Sequence, residues 1–95
     1  MNYTRIVKPE AELDILRSAQ WYERKQQDLG LRFLDEVEEK LDLITSNPLH
    51  YQVRYNTIRF SLIKHFPYAI HFIVEDKNVV VLAVLGTRED PDKWQ

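Results

Sequence analysis

The sequence predicts a small α+β domain of order β-α-α-β-β-β, a helical hairpin packed on one face of a small, mainly antiparallel sheet. Three observations point there. Two segments in the first half carry apolar residues at helical spacing, with Gly30 between them. The second half alternates with period two between polar turns. Residues 79–85 are apolar on both faces, as a central, covered strand is. A helical hairpin must bury its stripe on something, and one sheet face is the only candidate.

Residues 3–8 read as a short first strand, with Ile6 and Val7 as its apolar content. Pro9 suits the first turn of a helix, and Glu10, Glu12 and Asp14 complement its positive end. Leu13, Leu16 and Ala19 or Gln20 recur at helical spacing, with Trp21 or Tyr22 further on. Gly30 breaks the pattern and reads as a C-cap or hairpin corner. A second helix covers about 31–46. Its stripe is Phe33, Leu34, Val37, Leu41 and Ile44, while Asp35, Glu36, Glu38, Glu39 and Asp42 keep the rest in water. Asn47 and Pro48 end it.

Residues 51–55 form a second strand, and a meander follows. Ile58, Phe60 and Leu62 alternate with Arg59, Ser61, Ile63 and His65, which assigns the first set to the core face and the second to the other. The next strand buries Tyr68, Ile70, Phe72 and Val74 and shows Ala69, His71 and Glu75 on its opposite face. Asp76, Lys77 and Asn78 supply a polar turn. The expected core includes Leu16, Phe33, Val37, Leu41, Phe60, Ile70 and Phe72.

The 95 residues make one domain, 1–95. A composition of 44% hydrophobic and 29% charged residues is that of a folded chain. No apolar stretch is long enough to span a membrane, and the first residues lack a signal-peptide core. There is no cysteine, which excludes disulfides and thiolate metal sites and fits a cytoplasmic protein. Residues 1–50 carry seven Lys/Arg against ten Asp/Glu, and residues 51–95 carry six against five. The helical half is therefore acidic and the sheet half slightly basic, too weak an excess for a strong nucleic-acid footprint.

The polar sheet face should carry Arg59, Ser61, His65, Ala69 and His71. Arg59, with Arg88 just past the apolar strand, reads as an anion-binding pair, because guanidinium forks match phosphate and carboxylate geometry. The plainer alternative pairs both with Glu75, Glu89 or Asp90. His65 and His71 are candidates for proton transfer, or else polar residues on a half-exposed strand face. Without cysteine or a carboxylate at ligand spacing, no metal site is expected. Trp21, Tyr22 and Glu23 read as a recognition patch or as core. With two glycines there is no phosphate-cradling loop, and no nucleophile triad can be assembled, so no cofactor or small-molecule substrate is implied.

The chain resembles the RelE/ParE toxin family of type II toxin–antitoxin systems over nearly its whole length. The resemblance rests on Trp21-Tyr22-Glu23, on Leu29-Gly30-Leu31 followed by Phe33-Leu34, and on Pro48 with Tyr51. It continues through Arg59, Phe66-Pro67-Tyr68 and the apolar strand ending at Leu85, and closes with Asp90-Pro91 and Trp94. The wording is closer to the ParE-like branch.

The resemblance implies the same small fold and a cognate antitoxin as partner. Its target is DNA gyrase for ParE-like members or the ribosome for RelE-like members, which cut mRNA without a metal. By resemblance Arg59 matches a basic position on the ribonuclease sheet, and Arg88 the catalytic arginine after the last strand. Ser61, Ala69 and Trp94 stand where the ribonuclease branch has basic residues and a tail aromatic with a hydroxyl. Gly86 stands where many ParE-like relatives have histidine. The resemblance therefore implies a binding inhibitor using Arg59, Ser61, His71, Arg88 and Trp94 as contacts. The alternatives are an endoribonuclease with Arg59, Arg88, His65 and His71, and a degenerate binding module without toxicity.

Overall fold

A computed structural model describes residues 3–87. The elements are β1 (Thr4–Val7), α1 (Pro9–Lys25), α2 (Leu29–Ser46), a 3-10 turn (Pro48–His50), β2 (Val53–Tyr55), β3 (Ile58–Leu62), β4 (Tyr68–Glu75) and β5 (Asn78–Gly86). The sheet order is β1-β5-β4-β3-β2. β1 runs parallel to β5, and every other pair is antiparallel. The α+β architecture is the expected one, with the short β2 at the sheet edge ahead of the three-strand meander.

Pro9 opens α1, Glu10 and Glu12 lie in its first turn, and Arg24 and Lys25 close it, matching charge to the helix dipole. The stripe α1 buries is Ala11, Ile15, Ala19 and Tyr22. Leu13 and Leu16 lie off that stripe and are 48% and 52% exposed. Leu16 is therefore not a core residue; the buried positions of α1 are Ala11 and Ala19, flanked by the partly buried Ile15 and Tyr22.

Gly30 is not the corner between the helices. The turn is made at Gln26, Gln27 and Asp28, and Asp28 takes the left-handed conformation at φ 69°. Gly30 lies one residue inside α2, where α1 passes. Phe33, Val37, Leu41 and Ile44 form the buried stripe of α2. They meet Ile70, Phe72, Val79, Val81 and Val84 from the sheet. Asn47 caps α2, and Pro48 is buried just beyond it.

The register of the meander inverts the expected faces of β3. Phe60 pairs with His71, Ser61 with Ile70, and Arg59 with Phe72. Residues directly opposite in a sheet share a face. Phe60 therefore stands on the open face with His71, half-buried, while Arg59 and Ser61 share the helix face with Phe72 and Ile70. Ile63, only 5% exposed, belongs to the core instead. β3 has apolar residues on both faces, so alternation alone did not separate them.

Turns follow from residues that tolerate positive φ: Asn56 at 49° between β2 and β3, and Asp76 at 55° between β4 and β5. β1 covers β5 only from Asn78 to Val81. Beyond it the Val84 N–H donates to the Asp14 carboxylate on α1 at 3.0 Å, so a helix side chain continues where the strand stops. Arg5 of β1 reaches Glu38 and Asp42 on α2. Among the described residues no helix is long and apolar enough to cross a membrane.

Candidate functional site

The sheet face away from the helices is built around His71, which is 1% exposed and so not the half-exposed strand residue expected. The Phe60 ring stacks on its imidazole, with centroids 5.1 Å apart and planes at 24°. The Tyr55 hydroxyl lies 3.3 Å from Nδ1. Burial lowers the His71 pKa below its ordinary value and raises that of Tyr55. Above Phe60, the Arg54 guanidinium sits 4.7 Å from the ring centroid. The result is a column of cation, phenyl and neutral imidazole.

The other candidate side chains are not gathered around His71. Arg59 lies on the helix face, where its Nη1 donates to the Tyr51 carbonyl. It ties β3 to the chain segment after the 3-10 turn. Ser61 is buried on the same face. His65 lies in the β3–β4 connection and is held by Glu36 of α2. The Glu36 carboxylate accepts the His65 backbone N–H at 2.9 Å and lies 2.6 Å from its Nδ1. Burial alone raises the Glu36 pKa, but the two His65 contacts, the imidazole charge and Arg32 outweigh it and hold the carboxyl below its ordinary value.

Arg88 and Trp94 lie outside the described residues, as do Glu89 and Asp90. Arg59 does not stand on a strand beside β5, because β4 lies between β3 and β5. Arg59 is level with Phe72 and Val81, whereas β5 ends at Gly86, opposite Tyr68. Phe72 and Tyr68 are four residues apart on β4, so about 13 Å of strand separates those levels. Among the described residues no three His, Asp or Glu side chains are grouped to hold a metal ion.

A groove of about 320 Å³ runs over the outer surface of the helical hairpin, lined by Leu16, Ala19, Gln20, Glu23, Gly30, Leu31 and Leu34. Leu31 is 58% exposed, and Leu13 and Leu16 add apolar surface on the α1 side. Ala19 and Gly30 contribute little side-chain bulk to the lining of the groove. The groove was not legible in sequence, where Leu13 and Leu16 read as the buried stripe of the first helix.

A profile of the ParE toxin of type II toxin-antitoxin system, parDE, matches residues 6–91. This chain belongs to the ParE toxin family. A solved structure described as the chromosomal ParDE TA system from P. aeruginosa has the same fold, with a TM-score of 0.80. The two are 13% identical, over 90% of this chain and 97% of that one. No curated protein matches the sequence.

Within this ParE-family fold, Trp21, Tyr22 and Glu23 do three different things. Trp21 is on the surface, with the Lys25 Nζ 4.9 Å from its ring centroid. Tyr22 is an inner residue that meets Phe33, Phe66 and Tyr68 edge-on or stacked. Glu23 accepts the N–H groups of Asp28 at 2.9 Å and Gly30 at 3.0 Å, which caps the start of α2. The Phe66-Pro67-Tyr68 segment is the sheet's side of that aromatic cluster, and the Pro67 carbonyl accepts the Thr87 N–H after β5.

Proposed function

We propose that this ParE-family chain is a toxin that stops growth by binding an essential protein, with DNA gyrase as the target, and that a cognate antitoxin neutralises it. One observation carries the reading: the groups a ribonuclease would need are each engaged elsewhere among the described residues. Arg59 is bonded to the Tyr51 carbonyl, His65 to Glu36, and His71 is buried against Phe60. Cutting RNA needs such groups converging on one phosphate, whereas inhibition by binding needs only a surface. Membership of the ParE family supports gyrase over the ribosome.

The hairpin groove supports the antitoxin part of the reading. It is apolar and borne by two helices, the kind of surface on which an amphipathic helix lays its apolar face. The ParDE pairing named for the P. aeruginosa structure supports a partner of that kind.

The test uses the purified chain in two assays run side by side, gyrase supercoiling and ribosome-dependent mRNA cleavage. Each is repeated with the protein encoded beside the toxin's gene. Supercoiling should fall, mRNA should stay intact, and the neighbouring product should restore supercoiling. Site-specific mRNA cuts that disappear in Arg88→Ala, with gyrase unaffected, would replace this reading with the endoribonuclease.

A further inference from the structure

Residues 43–74 contain no Asp or Glu, yet hold Arg54, Arg59, Lys64 and all three histidines of the chain. Folding engages part of that charge, through the Arg59–Tyr51 and His65–Glu36 contacts. Arg54 differs. It is exposed, it rests on the Phe60 ring, and it has no carboxylate partner among the described residues. The ring restrains the guanidinium without neutralising it.

Arg54 borders a notch of about 300 Å³, walled by His50, Tyr51, Gln52, Phe60 and Leu62. The notch exists because β2 is short. Its pairing with β3 stops at Val53 and Arg59, so no strand lies beside Leu62. The Ile63 N–H donates to the Tyr68 carbonyl, toward β4. Backbone groups alternate along a strand, so those of Leu62 point the other way, to the notch. The Leu62 side chain is 58% exposed. An open strand edge, an apolar side chain and a restrained cation thus meet within a few residues.

We propose that this notch, between the 3-10 turn and the open end of β3, binds an extended acidic peptide segment. Arg54 takes a carboxylate of the segment, Leu62 packs an apolar neighbour, and the Leu62 backbone pairs with the segment's main chain. Charge complementarity selects a peptide over nucleic acid. One exposed cation matches one or two carboxylates, whereas a phosphate backbone needs a row of cations. A polyanion would also meet the acidic face of α2 and a chain of net charge −2. The proposal does not depend on which protein the toxin inhibits.

The isotope-labelled chain is titrated with an end-blocked octapeptide of alternating glutamate and valine, and with its glutamine and lysine counterparts. A short oligothymidylate is titrated separately. The glutamate peptide alone should shift the amides of Gln52, Arg54 and residues 60–62, and should slow hydrogen exchange at the Leu62 N–H. Arg54→Ala should weaken it about tenfold, the loss of one charge-assisted hydrogen bond. Arg24→Ala, on exposed α1 surface, should leave affinity unchanged. Equal binding of the glutamine peptide, or unchanged affinity in Arg54→Ala with the rest of the spectrum intact, would overturn the proposal. So would oligothymidylate moving the same amides, or their broadening with protein concentration alone, which would assign the notch to nucleic acid or to a second copy.

Discussion

Gly30 faces the main-chain carbonyl of Ala19 so closely that a β-carbon built on it would stand 2.4 Å from that oxygen. The obstacle is backbone, so no side-chain rotation relieves it. Among the described residues no glycine has a positive φ, so Gly30 serves close approach of two helices and not a special backbone conformation. Gly30→Ala should cost about 1–3 kcal/mol through overpacking, although alanine is the better helix former. Urea unfolding measures it. An unchanged or raised midpoint would mean that the helices can part without loss.

The Glu23 cap yields a second expectation. Asp28 precedes α2 but makes no side-chain cap bond, so the carboxylate one turn back in α1 serves the orphan N–H groups. Glu23→Ala should cost about 1–2 kcal/mol, in the range of a lost N-cap. Glu23→Gln, which keeps one acceptor oxygen, should cost less than the alanine variant. Hydrogen exchange at the Gly30 N–H locates the effect: it should accelerate in Glu23→Ala more than exchange in the middle of β4.

The element order and the heart of the core could be read from sequence because they rest on long, redundant patterns. Phe33, Val37 and Leu41 repeat at helical spacing among acidic residues, and no other helix face could be buried. α1 misled because its buried stripe is built on Ala11 and Ala19, less hydrophobic than Leu13 and Leu16 on the outside. Helix contact rewards smallness there, which a hydrophobicity pattern does not report. β3 misled because Ile58, Phe60 and Leu62 resemble a core set, while Arg59 can reach the Tyr51 carbonyl from the helix face. The facing of a strand with two apolar sides depends on its partner's register, which only the fold supplies. Arg59 reads in sequence as standing on a strand next to the last one, but in the meander β4 lies between β3 and β5.

His71 should leave a mark on acid stability. Its folded pKa is held below the ordinary 6.5 by burial, so the unfolded chain takes up a proton at higher pH than the folded one. Stability from the neutral imidazole is therefore complete above about pH 6.5 and is lost as pH falls toward the lowered folded value. His71→Phe keeps a ring beside Phe60 and removes this proton uptake. Urea midpoints taken from neutral pH down to about pH 5.5 should fall less steeply for the variant than for the parent. His50 and His65 are common to both proteins, so the comparison isolates the substitution at position 71. Parallel curves would show that His71 takes up a proton equally well folded and unfolded.

Arg59 should behave as a structural tie and not as a charge awaiting a ligand. Arg59→Ala removes a charged donor from a main-chain carbonyl on a half-buried edge, at a cost of about 1–2 kcal/mol. The loss should appear as faster hydrogen exchange around Tyr51 and β2 and a lower unfolding midpoint. Gyrase inhibition per folded molecule should stay the same. A variant of unchanged stability that no longer inhibits would return Arg59 to the contact surface.

The last expectation separates the hairpin groove from the fold that carries it. Leu16 and Leu31 line the groove and are 52% and 58% exposed, so each can become glutamate without burying a charge. Both stand on helices that tolerate glutamate well. Leu16→Glu/Leu31→Glu should therefore unfold within about 1 kcal/mol of the parent, the usual scale for two surface substitutions. Two carboxylates in an apolar groove would, however, have to be desolvated beneath any docked helix, and no Lys or Arg lines the groove to offset that cost. Co-purification with the antitoxin should fail, while gyrase inhibition by the isolated toxin should persist and become insensitive to added antitoxin. Retention of a tight complex by this variant would move the antitoxin off the hairpin to another part of the surface, and loss of both activities together would place toxin target and antitoxin on the same groove.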